Sequence, residues 1–144
     1  MHYFKELIIM AILSAGTQGA QAAAELDTQL QVTGLRSQKG TINVAVFHGA
    51  EGFPADPSKA FRRLIIEIPA TGLPVTKLSL PEGSYAISLF HDEDGDGVLK
   101  KNMFGVPVEG LGFSNNPKWR MAPPNYDACK LVVTGQEIVV HVKY

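Results

Sequence analysis

Alternation of apolar and polar residues dominates the chain from residue 26 onward. Leu26, Thr28, Leu30 and Val32 alternate with Asp27, Gln29, Gln31 and Thr33. Such a segment puts one face of a strand on a core and the other in water. Gly34 closes it, and a polar stretch, Arg36 to Lys39, has the length of a hairpin connection. Thr41 to His48 follows as a second strand, with Ile42, Val44 and Val46 on one face. Gly49 to Arg63 carries Gly52, Pro54 and Pro57 and predicts a loop with one helical turn at most. Leu64–Ile68, Val75–Leu80 and Tyr85–Phe90 read as the third, fourth and fifth strands. Pro81 and Gly83 supply the turn before the fifth.

Residues 91–127 show little periodicity, and so long an irregular stretch inside a small domain points to function or to an ordering ligand. Its aromatics, Phe104 and Phe113 first among them, are expected to plug it into a core. Lys130–Val133 and Glu137–Tyr144 then read as a final hairpin around Gly135, with Ile138, Val140 and Val142 facing inward. About seven short strands with turns between them predict an all-β fold, an antiparallel β-sandwich. No segment of any length has helical periodicity, and no βαβ rhythm is present.

The first residues break this pattern. Met1 to Lys5 resembles the n-region of an export signal, Leu7 to Leu13 its apolar run, and Ala20-Gln21-Ala22 its cleavage site. The expected organisation is therefore a signal peptide over 1–22 and one β-sandwich domain over 23–144, delivered to the periplasm or secreted. The apolar run is too short for a permanent span, which needs about 20 residues. No membrane span is expected after cleavage. Lys+Arg number 13 and Asp+Glu 14 in the 144 residues, so no global field favours nucleic acid. The lone cysteine, Cys129, is expected to lie buried in a strand as a small hydrophobe.

Chemistry concentrates in His91-Asp92-Glu93-Asp94-Gly95-Asp96-Gly97-Val98. The spacing matches D-x-[DN]-x-[DN]-G, the first half of a calcium loop. Alternate carboxylates on a curling backbone converge on one point. Gly97 permits the sharp turn, and the carbonyl of Val98 can then face the ion. The twelfth position counted from Asp92 is Met103, not Glu, and no helix flanks the loop. The candidate metal ligands are therefore Asp92, Asp94, Asp96 and Val98, completed by Asn102, Glu109 and water, with Ca2+ as the candidate ion. Without a cation the crowded acids should repel one another, and their pKa values should rise. Lys100 and Lys101 follow close behind. His91 beside the acids admits a catalytic His–Asp pair, but a structural hydrogen bond at a strand end is the commoner use. His48 and His141 have no metal-site spacing.

The run L-P-x-G-x-Y from Leu80, then H-D-x-D-x-D-G from His91, then F-G-x-P-x-E-G-x-G-F-S-N-N from Phe104 to Asn116 resembles the bacterial family catalogued as domain of unknown function 2141. The resemblance implies a secreted or periplasmic β-sandwich, prealbumin-like or immunoglobulin-like, with no established activity. It implies acidic or amide residues at Asp92, Asp94 and Asp96, a Glu at 109, and the Phe113-Ser114-Asn115 run. Where the family commonly carries an acid after Gly97-Val98-Leu99, this chain has Lys100.

Three functional readings follow. The first is a non-enzymatic envelope module with a calcium-binding loop and a protein or glycan partner. The second is a structural domain whose acidic loop is only a turn. The third is a hydrolase using His91 with a neighbouring carboxylate.

Overall fold

The computed structural model describes Gly19 and residues 22–144. The expected signal segment 1–22 lies outside the described residues apart from Gly19 and Ala22. Eight strands follow in order: β1 (Glu25–Thr33), β2 (Thr41–Phe47), β3 (Arg62–Glu67), β4 (Val75–Pro81), β5 (Gly83–Asp92), β6 (Leu111–Phe113), β7 (Leu131–Val133) and β8 (Ile138–His141). They form two sheets. One has the order β4-β1-β8, the other β3-β2-β5-β6, with β7 also pairing β5. All pairings are antiparallel except β1 with β8.

The alternating residues meet between the sheets. Leu30, Val32, Leu78, Leu80, Ile138 and Val140 from the first sheet pack on Ile42, Val44, Val46, Tyr85, Ile87 and Leu89 from the second. This is the face that the period-two pattern assigns to the core. The outer face of the second sheet is covered as well. Ala86, Phe113 and Cys129 form a second cluster with Phe53, Leu111, Trp119 and Tyr126. Phe113 meets Trp119 edge-on at 5.5 Å and Phe53 at 6.3 Å. Strand β5 is therefore buried on both faces.

Several expectations require correction. Residues 91–127 are not without order: they contain β6 and the start of a short helix, α1 (Tyr126–Cys129). Strand β6 escapes the periodic pattern because three residues with a central glycine show no alternation. Cys129 is buried, but at the end of α1 and not in a strand. Of the two aromatics expected to anchor the loop, Phe113 is buried and Phe104 is exposed. Neither predicted hairpin exists. Strands β1 and β2 sit in different sheets, and so do β7 and β8. A short polar connection is compatible with a step from one sheet to the other, and pairing with β4 and β8 decides where β1 lies.

The Phe113-Ser114-Asn115-Asn116 run fastens these crossings. Ser114 Oγ accepts from Ile87 N–H at 2.8 Å and donates to Cys129 O at 2.6 Å. Asn115 donates to Lys130 O, and Asn116 donates to Val139 O while accepting from His141 N–H. Asn115 and Asn116 have φ of 64° and 45°, a left-handed conformation that asparagine tolerates better than most residues. One tetrapeptide thereby links β5, the C-terminal end of α1 and β8.

Ile87 is fully enclosed in the main cluster on the central strand. Ile87→Ala should lower unfolding free energy by roughly 2–5 kcal/mol, measured by urea denaturation.

Candidate metal centre

Strand β5 delivers its last residue, Asp92, into a buried position at the sheet edge, 1% exposed. A carboxylate there must be hydrogen-bonded, because burying an unpaired charge is costly. Its Oδ1 accepts from Gly95 N–H at 2.9 Å. Its Oδ2 accepts from Gly97 N–H at 2.8 Å and from the side-chain amide of Asn43, on neighbouring β2, at 3.1 Å. Reaching both backbone donors bends the chain sharply, and Gly95 and Gly97 take φ of 72° and 77°. The curl continues outward. Asp94 Oδ1 accepts from Asp96 N–H at 3.4 Å, and Asp96 Oδ1 from Val98 N–H at 2.9 Å.

The result is a convergence. One oxygen from each of Asp92, Asp94 and Asp96 lies within 4.8 Å of the others, a group that could hold a metal ion. Asp92 is buried at its base, while Asp94 and Asp96 are exposed. Oxygen donors from carboxylates, with water on the open side, suit a hard cation.

The other residues singled out from sequence have different positions. Glu109, 4% exposed, stands outside the triad. Its carboxylate accepts from Glu93 N–H at 3.1 Å and Lys100 N–H at 2.9 Å, so it ties both ends of the acidic loop together. Asn102 Oδ1 accepts from Phe104 and Val106 N–H, which engages it in a turn of its own. Val98 is exposed beside the triad.

Electrostatics differ from the sequence expectation of raised carboxyl pKa values. Burial pushes the Asp94 carboxyl up, but hydrogen bonds from Asp96 and Asp92 and the charge of Lys100 outweigh it and hold it below the ordinary value. Lys100 Nζ lies 3.6 Å from Asp94 Oδ2. Burial likewise pushes the Glu93 carboxyl up, and Arg36, helped by Ser37, more than reverses it. Arg36 Nε donates to Glu93 Oε1 at 2.7 Å, and its guanidinium lies 4.3 Å from the Tyr144 ring centre. The group beside the site is thus partly neutralised by two cations, one of them 57 positions away in sequence from its partner.

His91 is fully buried. Its Nε2 donates to Lys39 O at 2.6 Å, and its Nδ1 lies 2.6 Å from Tyr144 Oη. Tyr144 Oη in turn accepts from Arg36 N–H. Both ring nitrogens are engaged, so neither is free to take a proton from a substrate.

Arg36, Asn43 and Gly40 complete the site without having been singled out from sequence. Asn43 left a signal, an amide in an otherwise apolar strand. Gly40 has φ of 73°, and a Cβ there would sit 1.8 Å from the main-chain oxygen of Asp92. The crossover from β1 to β2 can therefore press against the loop only through glycine. Arg36 left no signal, because its partner lies in another segment.

Family comparison agrees with the motifs. The model for an uncharacterized protein conserved in bacteria (DUF2141) matches residues 30–141, and the chain belongs to that family. No curated protein and no solved structure matches it.

The Arg36–Glu93 pair has a defined pH signature. Its folded-state carboxyl pKa lies below the ordinary 4.5, so its stabilisation is present above about pH 4.5 and fades as pH falls through the folded-state value. Arg36→Met should therefore lower the melting temperature at pH 7, with the two proteins converging as pH drops below 4.5. Thermal melts across pH 3–7 (about that range) check this, and a constant difference would exclude the pair as its source.

Proposed function

We propose that this family member is an exported module of the bacterial cell envelope, without catalysis of its own. In this reading its Asp92–Asp94–Asp96 loop binds calcium and orders the surface through which it meets a protein or glycan partner. One observation carries the ion assignment: three carboxylate oxygens within 4.8 Å of one another on a loop held by backbone donors. Export is supported by the charged, apolar and small-residue segments at the N-terminus. The buried, doubly engaged His91 weighs against the hydrolase reading.

Calcium suits the loop better than magnesium. Asp94 and Asp96 are exposed, which leaves the open side to the variable number of waters that calcium accepts, whereas magnesium demands near-ideal octahedral geometry. The remaining ligands are water and main-chain oxygen, for which Val98, bonded through its N–H to Asp96, is the candidate. Glu109 acts one step back, clasping the loop ends.

A second reading has its own support. Lys100 beside Asp94 and Arg36 on Glu93 already offset part of the acidic charge, as a turn without an ion would require. The two readings part in solution. Calorimetric titration of chelator-treated protein should show one calcium site with a dissociation constant of about 0.1–1 mM, weaker for magnesium, and abolished by Asp94→Ala with Asp96→Ala. Absence of heat with calcium favours the ion-free turn.

Lys100→Ala should tighten calcium binding roughly three- to tenfold, since two unit charges at 4 Å interact by about 1 kcal/mol even in water. The same titration measures it.

A further inference from the structure

Residues 100–108 form a small hairpin that projects beyond the acidic loop. Lys101 bridges Pro107, Asn102 N–H donates to Val106 O at 2.9 Å, and Val108 N–H donates to Lys100 O at 3.0 Å. At the turn, Asn102 Oδ1 accepts from Phe104 N–H at 2.9 Å and Val106 N–H at 3.1 Å, and Asn102 O accepts from Gly105 N–H at 3.0 Å. The N–H groups of residues 104, 105 and 106 are thus all satisfied inside the turn. The apolar side chains stand in solvent. Met103 is 90% exposed and Phe104 82%, with Val106 and Val98 more than half exposed. Lys100 and Lys101 stand exposed at the base.

We propose that this tip docks on an anionic lipid bilayer, with Met103 and Phe104 entering the boundary between headgroups and acyl chains. A cluster of large apolar side chains held in water marks an interaction site. Its form selects the occupant. The tip is a convex turn, suited to a soft medium. Its N–H groups at 104, 105 and 106 are satisfied internally, which lowers the cost of taking this backbone out of water. Lys100 is engaged with Asp94, which leaves Lys101, in no ion pair among the described residues, to complement anionic headgroups, and its long stem lets the charge stay at the surface while the tip goes deeper. No described helix is long and apolar enough to cross a membrane, so the association is peripheral. The inference stands apart from the ion reading, because it rests on the hairpin and not on the triad.

The test uses residues 23–144, the expected mature chain, which hold every strand of the described residues and both apolar clusters. Leaving out the apolar run at 7–13 keeps it from binding vesicles by itself. Co-sedimentation is measured with vesicles of phosphatidylglycerol and phosphatidylethanolamine, and with phosphatidylcholine alone, each in calcium and in chelator. Binding to the anionic vesicles is expected in at least one buffer. It should fall about tenfold or more in Met103→Ser with Phe104→Ser, and fall also in Lys101→Glu. Phe104→Trp should give a blue-shifted emission increment on the anionic vesicles. The serine pair should melt as the parent does, since both side chains lie in solvent. Failure to bind anionic vesicles in both buffers overturns the proposal. So does equal binding by the serine pair, or tip-dependent self-association in sedimentation equilibrium with vesicles ignored, which would make the occupant a second copy. A negative calcium titration leaves the vesicle result readable, so failures of the two readings are distinguishable.

Discussion

Two carboxylates taken out of water govern the architecture of the site. Asp92 and Glu109 are 1% and 4% exposed, and neither lies in a salt bridge among the described residues. A buried carboxylate without donors is strongly unfavourable, so each draws backbone N–H groups to itself. Asp92 collects Gly95 and Gly97, which bends the loop. Glu109 collects Glu93 and Lys100, which closes it. The convergence of Asp94 and Asp96 on Asp92 is a consequence of those four bonds. Half of the residues that read as ligands in sequence thus work as scaffolding or stand beside the triad.

The same constraint explains the surroundings. Strand β5 must carry Asp92 to a buried edge, and it is enclosed on both faces on the way there. The β1–β2 crossover then packs over the loop. Gly40 yields room to the Asp92 carbonyl, and Arg36 offsets Glu93. His91 and Tyr144 brace this crossover from below. A histidine beside a run of aspartates suggests acid–base chemistry in one dimension. In three dimensions its ring is a strut between Lys39 and Tyr144.

The clasp at Lys100 N–H marks where the acidic loop ends and the 100–108 hairpin starts. Ordering one orders the base of the other. The acidic triad and an apolar tip therefore lie on the same stretch of chain, with Asn102 closing the turn of the hairpin.

What the sequence determined was local. Alternation at Leu30 and Val32, or at Ile138 and Val140, depends only on neighbouring residues and assigned the core faces correctly. The D-x-D-x-D-G spacing located the acidic convergence for the same reason, since its geometry closes within six residues. Tertiary structure decided what depends on distant partners. Which sheet receives β1 or β8, whether Phe104 or Phe113 is buried, and that Glu109 clasps while Arg36 neutralises, all turn on contacts across tens of residues. A free energy of pairing between remote segments leaves no periodic trace, so alternation predicts that a strand forms and not which strand it will meet.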